Sequence, residues 1–81
     1  MTDVHIPKLG MSTVEVDIAA VLAGPGDRVS ADTPIVEIES EKVTVLVEAG
    51  AAGVVEEILV SPGDVCNVGD VVARIREEQG T

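Results

Sequence analysis

Lys42 stands in the run Glu39-Ser40-Glu41-Lys42-Val43-Thr44, a charged tip between two stretches in which apolar and polar residues alternate. At the end of such a tip its amine is held out at full reach into solvent, where another protein can act on it. A tight hairpin prefers Asn-Gly or Asp-Gly at its centre, because the favoured turns need positive φ. Here the centre holds neither glycine nor asparagine, and a local rule broken at one place is where function is expected. The plain alternative is a solvated turn whose charges keep an edge soluble. The only other lysine, Lys8, lies beside Pro7 in an early loop. Other chemistries find little support. The one histidine, His5, sits in an apparent strand with no paired nucleophile, metal-ligand spacing or phosphate-binding glycine loop. Glu56-Glu57 and Glu77-Glu78 read as solvated charge, so no active site of the chain's own is expected.

The elements that must position Lys42 come in two copies. Val21-Leu22-Ala23-Gly24-Pro25-Gly26-Asp27 through Glu39 lies over Ile58-Leu59-Val60-Ser61-Pro62-Gly63-Asp64 through Arg76 without a gap. Leu22, Pro25, Gly26, Asp27 and Ile38 recur as Leu59, Pro62, Gly63, Asp64 and Ile75, and Val29 recurs as Cys66. Lys42 falls at the junction of the halves, so pseudo-symmetry places it at the opposite end from the chain termini. Period-two alternation marks strands at residues 14–18, 36–39, 43–48, 54–60 and 71–75, with a first strand at 4–6. Two very short strands are expected around Val29 and Cys66, just after the Pro-Gly-Asp turns. The count of seven or eight short strands in two similar halves predicts an all-β sandwich or flattened barrel.

Composition narrows the class. The chain has 81 residues, 46% of them apolar, and no Phe, Tyr or Trp, so its core must be built from Val, Ile, Leu and Ala. That length suits one small domain. Fifteen acids against five bases give a net charge of -10. Such a surface repels phosphate backbones and has no aromatic ring to stack on bases, which excludes nucleic-acid binding. No apolar run is long enough to span a membrane, and the N-terminus lacks a signal peptide's pattern. A soluble, cytoplasmic domain is expected (in the mitochondrial matrix if the source is eukaryotic), standing alone or cut from a larger chain. Cys66 cannot form an internal disulfide and reads as a small buried apolar residue.

Pro7-Lys8-Leu9-Gly10-Met11-Ser12, Gly26-Asp27-Arg28-Val29, the run from Ile35 through Val43, Gly53-Val54-Val55, Gly63-Asp64-Val65 and Gly69-Asp70 together resemble a lipoyl domain of the biotinyl/lipoyl carrier family. The resemblance covers about residues 4–76, nearly the whole chain, in order and with similar spacing. It implies a barrel-sandwich hybrid of two four-stranded antiparallel sheets related by a pseudo-twofold axis. It makes residues 1–76 the domain, and 77–81, which lack apolar periodicity, are expected to be a flexible tail or linker start. Lys42 becomes the attachment lysine, joined to lipoic acid as an amide by a lipoate ligase or lipoyl transferase. Lipoamide would then carry acyl groups and reducing equivalents among three partners: a thiamine-diphosphate dehydrogenase, an acyltransferase core and dihydrolipoyl dehydrogenase. Glu39, Glu41 and Val43 are the candidates for recognition by the modifying enzyme or these partners, and residues 9–13 for a loop near the tip.

The chain departs from the family pattern in places. Glu41 stands where Asp is usual, Val43 where Ala is common, Glu48 and Gly50 where prolines are common, and Val16 where a glycine is frequent. A biotinyl carrier domain shares the scaffold, but methionines typically flank its lysine; here the neighbours are Glu41 and Val43. A glycine-cleavage carrier would need added elements. An unmodified barrel-sandwich interaction module is the remaining alternative.

Overall fold

The structure, a computed structural model, describes residues 1–8, 15–40 and 43–77. Within them lie eight strands: β1 (Thr2–His5), β2 (Glu15–Val21), β3 (Arg28–Val29), β4 (Pro34–Glu39), β5 (Thr44–Glu48), β6 (Gly53–Ile58), β7 (Val65–Asn67) and β8 (Val71–Glu77). They form two four-stranded sheets, in the orders β1-β8-β6-β3 and β5-β4-β2-β7, and every pairing is antiparallel. The first is called here the terminal sheet and the second the hairpin sheet. Advancing every strand label by four turns one order into the other, so the duplication in the sequence is a pseudo-twofold in the topology.

The hydrogen bonds repeat with it. Leu22 N donates to Ile35 O as Leu59 N does to Val72 O, and Gly26 N donates to Val55 O as Gly63 N does to Ile18 O. Asp27 and Asp64 each accept, through Oδ2, the backbone N–H three residues earlier, from Gly24 and Ser61, both at 2.8 Å. Gly26 and Gly63 hold the third turn position at φ of 92° and 94°, a left-handed conformation that favours glycine. The repeat is looser at the next turn. Gly69 has φ 96°, but its counterpart Asp32 is not among the positive-φ residues. There Thr33 Oγ1 takes the N–H of Ser30, as Asp70 Oδ2 takes that of Asn67.

Alternation decides which side chains go inside. In β2, Val16 and Ile18 are buried while Glu15 and Asp17 are exposed; in β8, Val72, Ala73 and Ile75 are buried while Arg74 and Arg76 are exposed. The core unites Val4, Ile6, Val16, Ile18, Val29, Ile35, Val36, Ile38, Val47, Ala49, Val55, Cys66, Val72, Ala73 and Ile75, with no buried polar side chain among the described residues. Short branched side chains from facing sheets suffice to fill it without an aromatic ring.

Several expected boundaries move. β5 begins at Thr44 instead of Val43, β1 covers Thr2–His5, and β8 extends to Glu77, which the sequence reading gave to the tail. Glu77 is fastened there, because Thr2 Oγ1 donates a hydrogen bond to its carboxylate. Residues 78–81 and the loop at 9–13 lie outside the described residues.

Candidate functional site

The hairpin between β4 and β5 is closed from both sides of its tip. Across the ladder Ile38 faces Val45 and Glu39 faces Thr44. Beyond that last pair, Ser40 N donates to Val43 O at 2.8 Å, and Ser40 Oγ reaches the same carbonyl at 3.3 Å. One carbonyl thus holds both donors of Ser40, and Glu41 and Lys42 are the two residues that connect the fastened ends. Glu41 and Lys42 themselves lie outside the described residues.

Of the residues singled out from sequence, Glu39 is exposed at the last position of β4, and Val43 is 37% exposed beside the lysine. Glu39 has a neighbour that hydropathy could not reveal. β2 lies on the other side of β4, and Asp17 is directly opposite Glu39. Thr44, Glu39, Asp17 and Val65 therefore form one transverse row just inside the tip. Ser40 and Asp17 are the residues that sequence reasoning missed. A serine just before a glycine-free tip was a signal for the first; for the second, no signal exists short of the strand order.

The direction of the tip follows from topology. β6 starts level with the chain end, Gly53 facing Glu77, and runs to Ile58. The chain then arrives at Val65, level with Asp17 and Glu39. Thr2 pairs with Ile75 near the starting end. The β4–β5 hairpin and the chain ends therefore occupy opposite ends of the domain, as the duplication predicts.

The pseudo-symmetry breaks at a position that matters to the hairpin. Gly53 is buried, and a Cβ there would meet Arg76 O at 2.2 Å. Its counterpart is Val16, and the counterpart of Glu77 is Ser40. In the terminal sheet β8 continues alongside Gly53, whereas in the hairpin sheet β2–β4 pairing ends at Asp17 and Glu39. Val16, at the equivalent place, carries a buried side chain.

Among the described residues, the free thiol and the acids offer no competing site. Cys66 is buried, and desolvation raises its thiol pKa, with the charges of Asp70 and Asp64 adding to the shift. It stays protonated, as a packing residue does. Among the described residues no group of three or more His, Cys, Asp or Glu side chains is arranged to hold a metal ion, and no helix is long and apolar enough to cross a membrane. What the described residues supply is a hairpin fastened at Ser40 and Val43, the residues that flank Glu41 and Lys42 in sequence.

Comparison with known proteins gives the presented group its context. The family model described as biotin-requiring enzyme (Biotin_lipoyl) matches residues 2–75. The dihydrolipoyllysine-residue acetyltransferase component of the pyruvate dehydrogenase complex of Corynebacterium glutamicum is 40% identical over 74 residues, 91% of this chain and 11% of that one. The dihydrolipoyllysine-residue succinyltransferase component of the 2-oxoglutarate dehydrogenase complex of Staphylococcus saprophyticus is 40% identical over 80 residues, 99% of this chain and 19% of that one. The chain thus spans between a tenth and a fifth of the length of these relatives. The solution structure of the lipoyl domain of the 2-oxoglutarate dehydrogenase complex of Azotobacter vinelandii superposes with a TM-score of 0.77 at 32% identity, covering 98% of this chain and all of that one. Two four-stranded sheets, a closed hairpin at the end remote from the termini and these likenesses agree: the chain belongs to the biotin/lipoyl family, and within it is a lipoyl domain.

Proposed function

We propose that the chain is a lipoyl carrier. Lys42 bears lipoic acid as an amide, and the domain delivers it among the active sites of a 2-oxo acid dehydrogenase-type complex in the cytoplasm, or in the matrix of a eukaryotic mitochondrion. The observation that carries this reading is the hairpin that Ser40 closes onto Val43, with Lys42 one of its two connecting residues. An ε-amine suits an amide link, and the flanking Glu39 and Val43 are exposed. When bound, lipoamide supplies a dithiolane that accepts an acyl group and two electrons.

The chain's own contribution is position. Paired strands fix both ends of the tip, so a ligase or transferase can read where the lysine stands. Tethering to a folded domain turns successive encounters into intramolecular ones at high effective concentration. Partners of the modified domain are a thiamine-diphosphate dehydrogenase component, an acyltransferase core and dihydrolipoyl dehydrogenase. Glu39 and Glu41 meet basic groups on those partners, and Val43 completes the tip that the modifying enzyme reads.

The test is co-expression with a lipoate ligase in medium containing lipoate, followed by intact mass and peptide mapping. One lipoyl group is expected, on Lys42. Lys42→Ala should fold, match the wild-type melting temperature at high salt, and carry none. A biotinyl adduct, an unmodified Lys42, or lipoylation persisting elsewhere in Lys42→Ala would each sink the proposal.

A further inference from the structure

The outer faces of two sheets related by duplication would be expected to carry similar charge, and they do not. The terminal sheet holds all three arginines of the chain, Arg28, Arg74 and Arg76, and its one histidine, His5. Its carboxylates are largely answered: Arg74 Nη1 lies 2.8 Å from Glu57 and its Nε 3.4 Å from Asp3, while Arg76 Nε lies 3.8 Å from Glu56. The hairpin sheet contains no Lys, Arg or His in any of its four strands. Glu15, Asp17, Glu37, Glu39 and Glu48 all stand on its outer side, opposite in alternation to the buried Val16, Ile18, Ile38 and Val47.

This arrangement costs stability. Asp17 and Glu39 are directly opposite each other on neighbouring strands, a like-charge pairing that destabilises a sheet. On the same face Leu46 is 49% exposed beside Glu37, and Val65 is 60% exposed at the end of the Asp17 row. An acidic face whose strands hold no base, with apolar side chains set into it, is complementary to a basic protein surface that offers an apolar contact. The row also ends at the hairpin, so a partner seated there has the tip within reach. Thr2 and Glu77, in β1 and β8, lie at the far end of the domain. Metal binding does not account for it, since the described acids form no ion-holding group. Nucleic acid and anionic lipid share its sign.

We propose that the outer face of the hairpin sheet is the docking surface of the domain, and that its partner is the basic surface, with an apolar seat for Leu46, of the dehydrogenase component that acylates the arm. This rests on the lipoyl-carrier reading and adds to it the face that is read. Charge arranged this way acts mainly on association rate and its salt dependence.

The experiment uses the full chain, lipoylated and verified by mass. The probes are the thiamine-diphosphate components that decarboxylate pyruvate, 2-oxoglutarate and branched-chain 2-oxo acids, each with its own substrate. For the component that acylates it, kcat/KM is expected to fall about tenfold between roughly 0.02 M and 0.5 M salt. Asp17→Lys with Glu37→Lys is expected to lose about tenfold at low salt and to show a flattened salt dependence. Glu56→Lys with Glu77→Lys, the same charge change on the terminal sheet, is expected to stay within about twofold. Asp17→Asn with Glu37→Gln, which alters charge with little change in shape, should lie between wild type and the lysine pair.

Equal losses in the two lysine pairs would mean that net charge alone matters and would overturn the docking face. So would no loss in either, or a dimer through this face that Asp17→Lys abolishes. If a fully lipoylated chain is acylated by none of the components, the carrier reading itself fails, and the docking face fails with it.

Discussion

Ser40 gives the hairpin its closure with two donors converging on one carbonyl, and the two can be removed separately. Ser40→Ala keeps the backbone bond from Ser40 N to Val43 O and loses only the longer hydroxyl contact at 3.3 Å. An exposed hydrogen bond of this kind contributes about 0.5–1 kcal/mol at most. Ser40→Pro removes the N–H itself, and proline cannot restore it. The alanine variant should therefore melt within a few degrees of wild type and be lipoylated at a similar rate. The proline variant should retain the sheets, whose pairing ends at Glu39, yet be lipoylated far more slowly. Circular dichroism melts and a lipoylation time course check both. Rapid lipoylation of Ser40→Pro would show that closure of the tip is not what the modifying enzyme reads. Lys42 became the candidate through the turn rule its setting breaks, its place at the junction of the repeat and the resemblance of the surrounding motifs. Ser40 was missed although a serine before a glycine-free tip was a signal, since its part consists of a bond to Val43 that only the register of β4 against β5 reveals.

At the level of strands, alternation was enough to locate nearly every element, because each buries one face and every second residue reports which. The two shortest, β3 and β7, were recoverable only because Val29 and Cys66 hold equivalent places in the repeat. Boundaries suffered where the ladder is irregular. Register shifts interrupt β1 at Val4/His5, β2 at Ile18/Ala20, β4 at Pro34/Val36 and β6 at Val55/Glu57. A bulge puts two residues opposite one and breaks period two. Strand order was hidden for a different reason: hydropathy says in or out, never which neighbour, so the Asp17–Glu39 pair was invisible. Gly53 shows what order adds. With β8 alongside, Gly53→Ala drives a Cβ to 2.2 Å from Arg76 O, and only backbone movement relieves it. The cost should exceed about 2 kcal/mol, in the range of overpacked cores. Val16→Gly, at the equivalent place, should cost a comparable amount by the opposite route, deleting a buried side chain. Urea midpoints for the two variants test the pair, and a neutral Gly53→Ala would deny that β6 and β8 approach as closely as described.

The whole molecule carries -10 on 81 residues, and pseudo-symmetry does nothing to spread that charge evenly. One face pairs its acids with arginines across β1, β8 and β6, while the other carries five carboxylates in strands that hold no Lys, Arg or His. Exposed pairs of the first kind add little to stability. Repulsion of the second kind opposes folding, because the compact state holds like charges closer than the unfolded chain does. Screening should therefore stabilise this domain. Going from roughly 0.01 M to 0.15 M sodium chloride shortens the Debye length from about 30 Å to about 8 Å, below the width of the charged face. A relief of about 1 kcal/mol in a domain of this size raises the melting temperature by about 4–8 °C. Amide formation on Lys42 removes the one base between Arg28 and Arg74, taking the net charge one unit further negative. The lipoylated form should accordingly melt slightly lower than the unmodified one at low salt and converge with it as salt rises. Asp17→Asn should capture part of the same gain without salt, and most of its advantage should vanish at high ionic strength. Melting curves of the three proteins across the salt series decide the matter: a flat or falling response would remove self-repulsion as the cost of the acidic face. A rising one would mean that stability has been given up where a basic partner is to land.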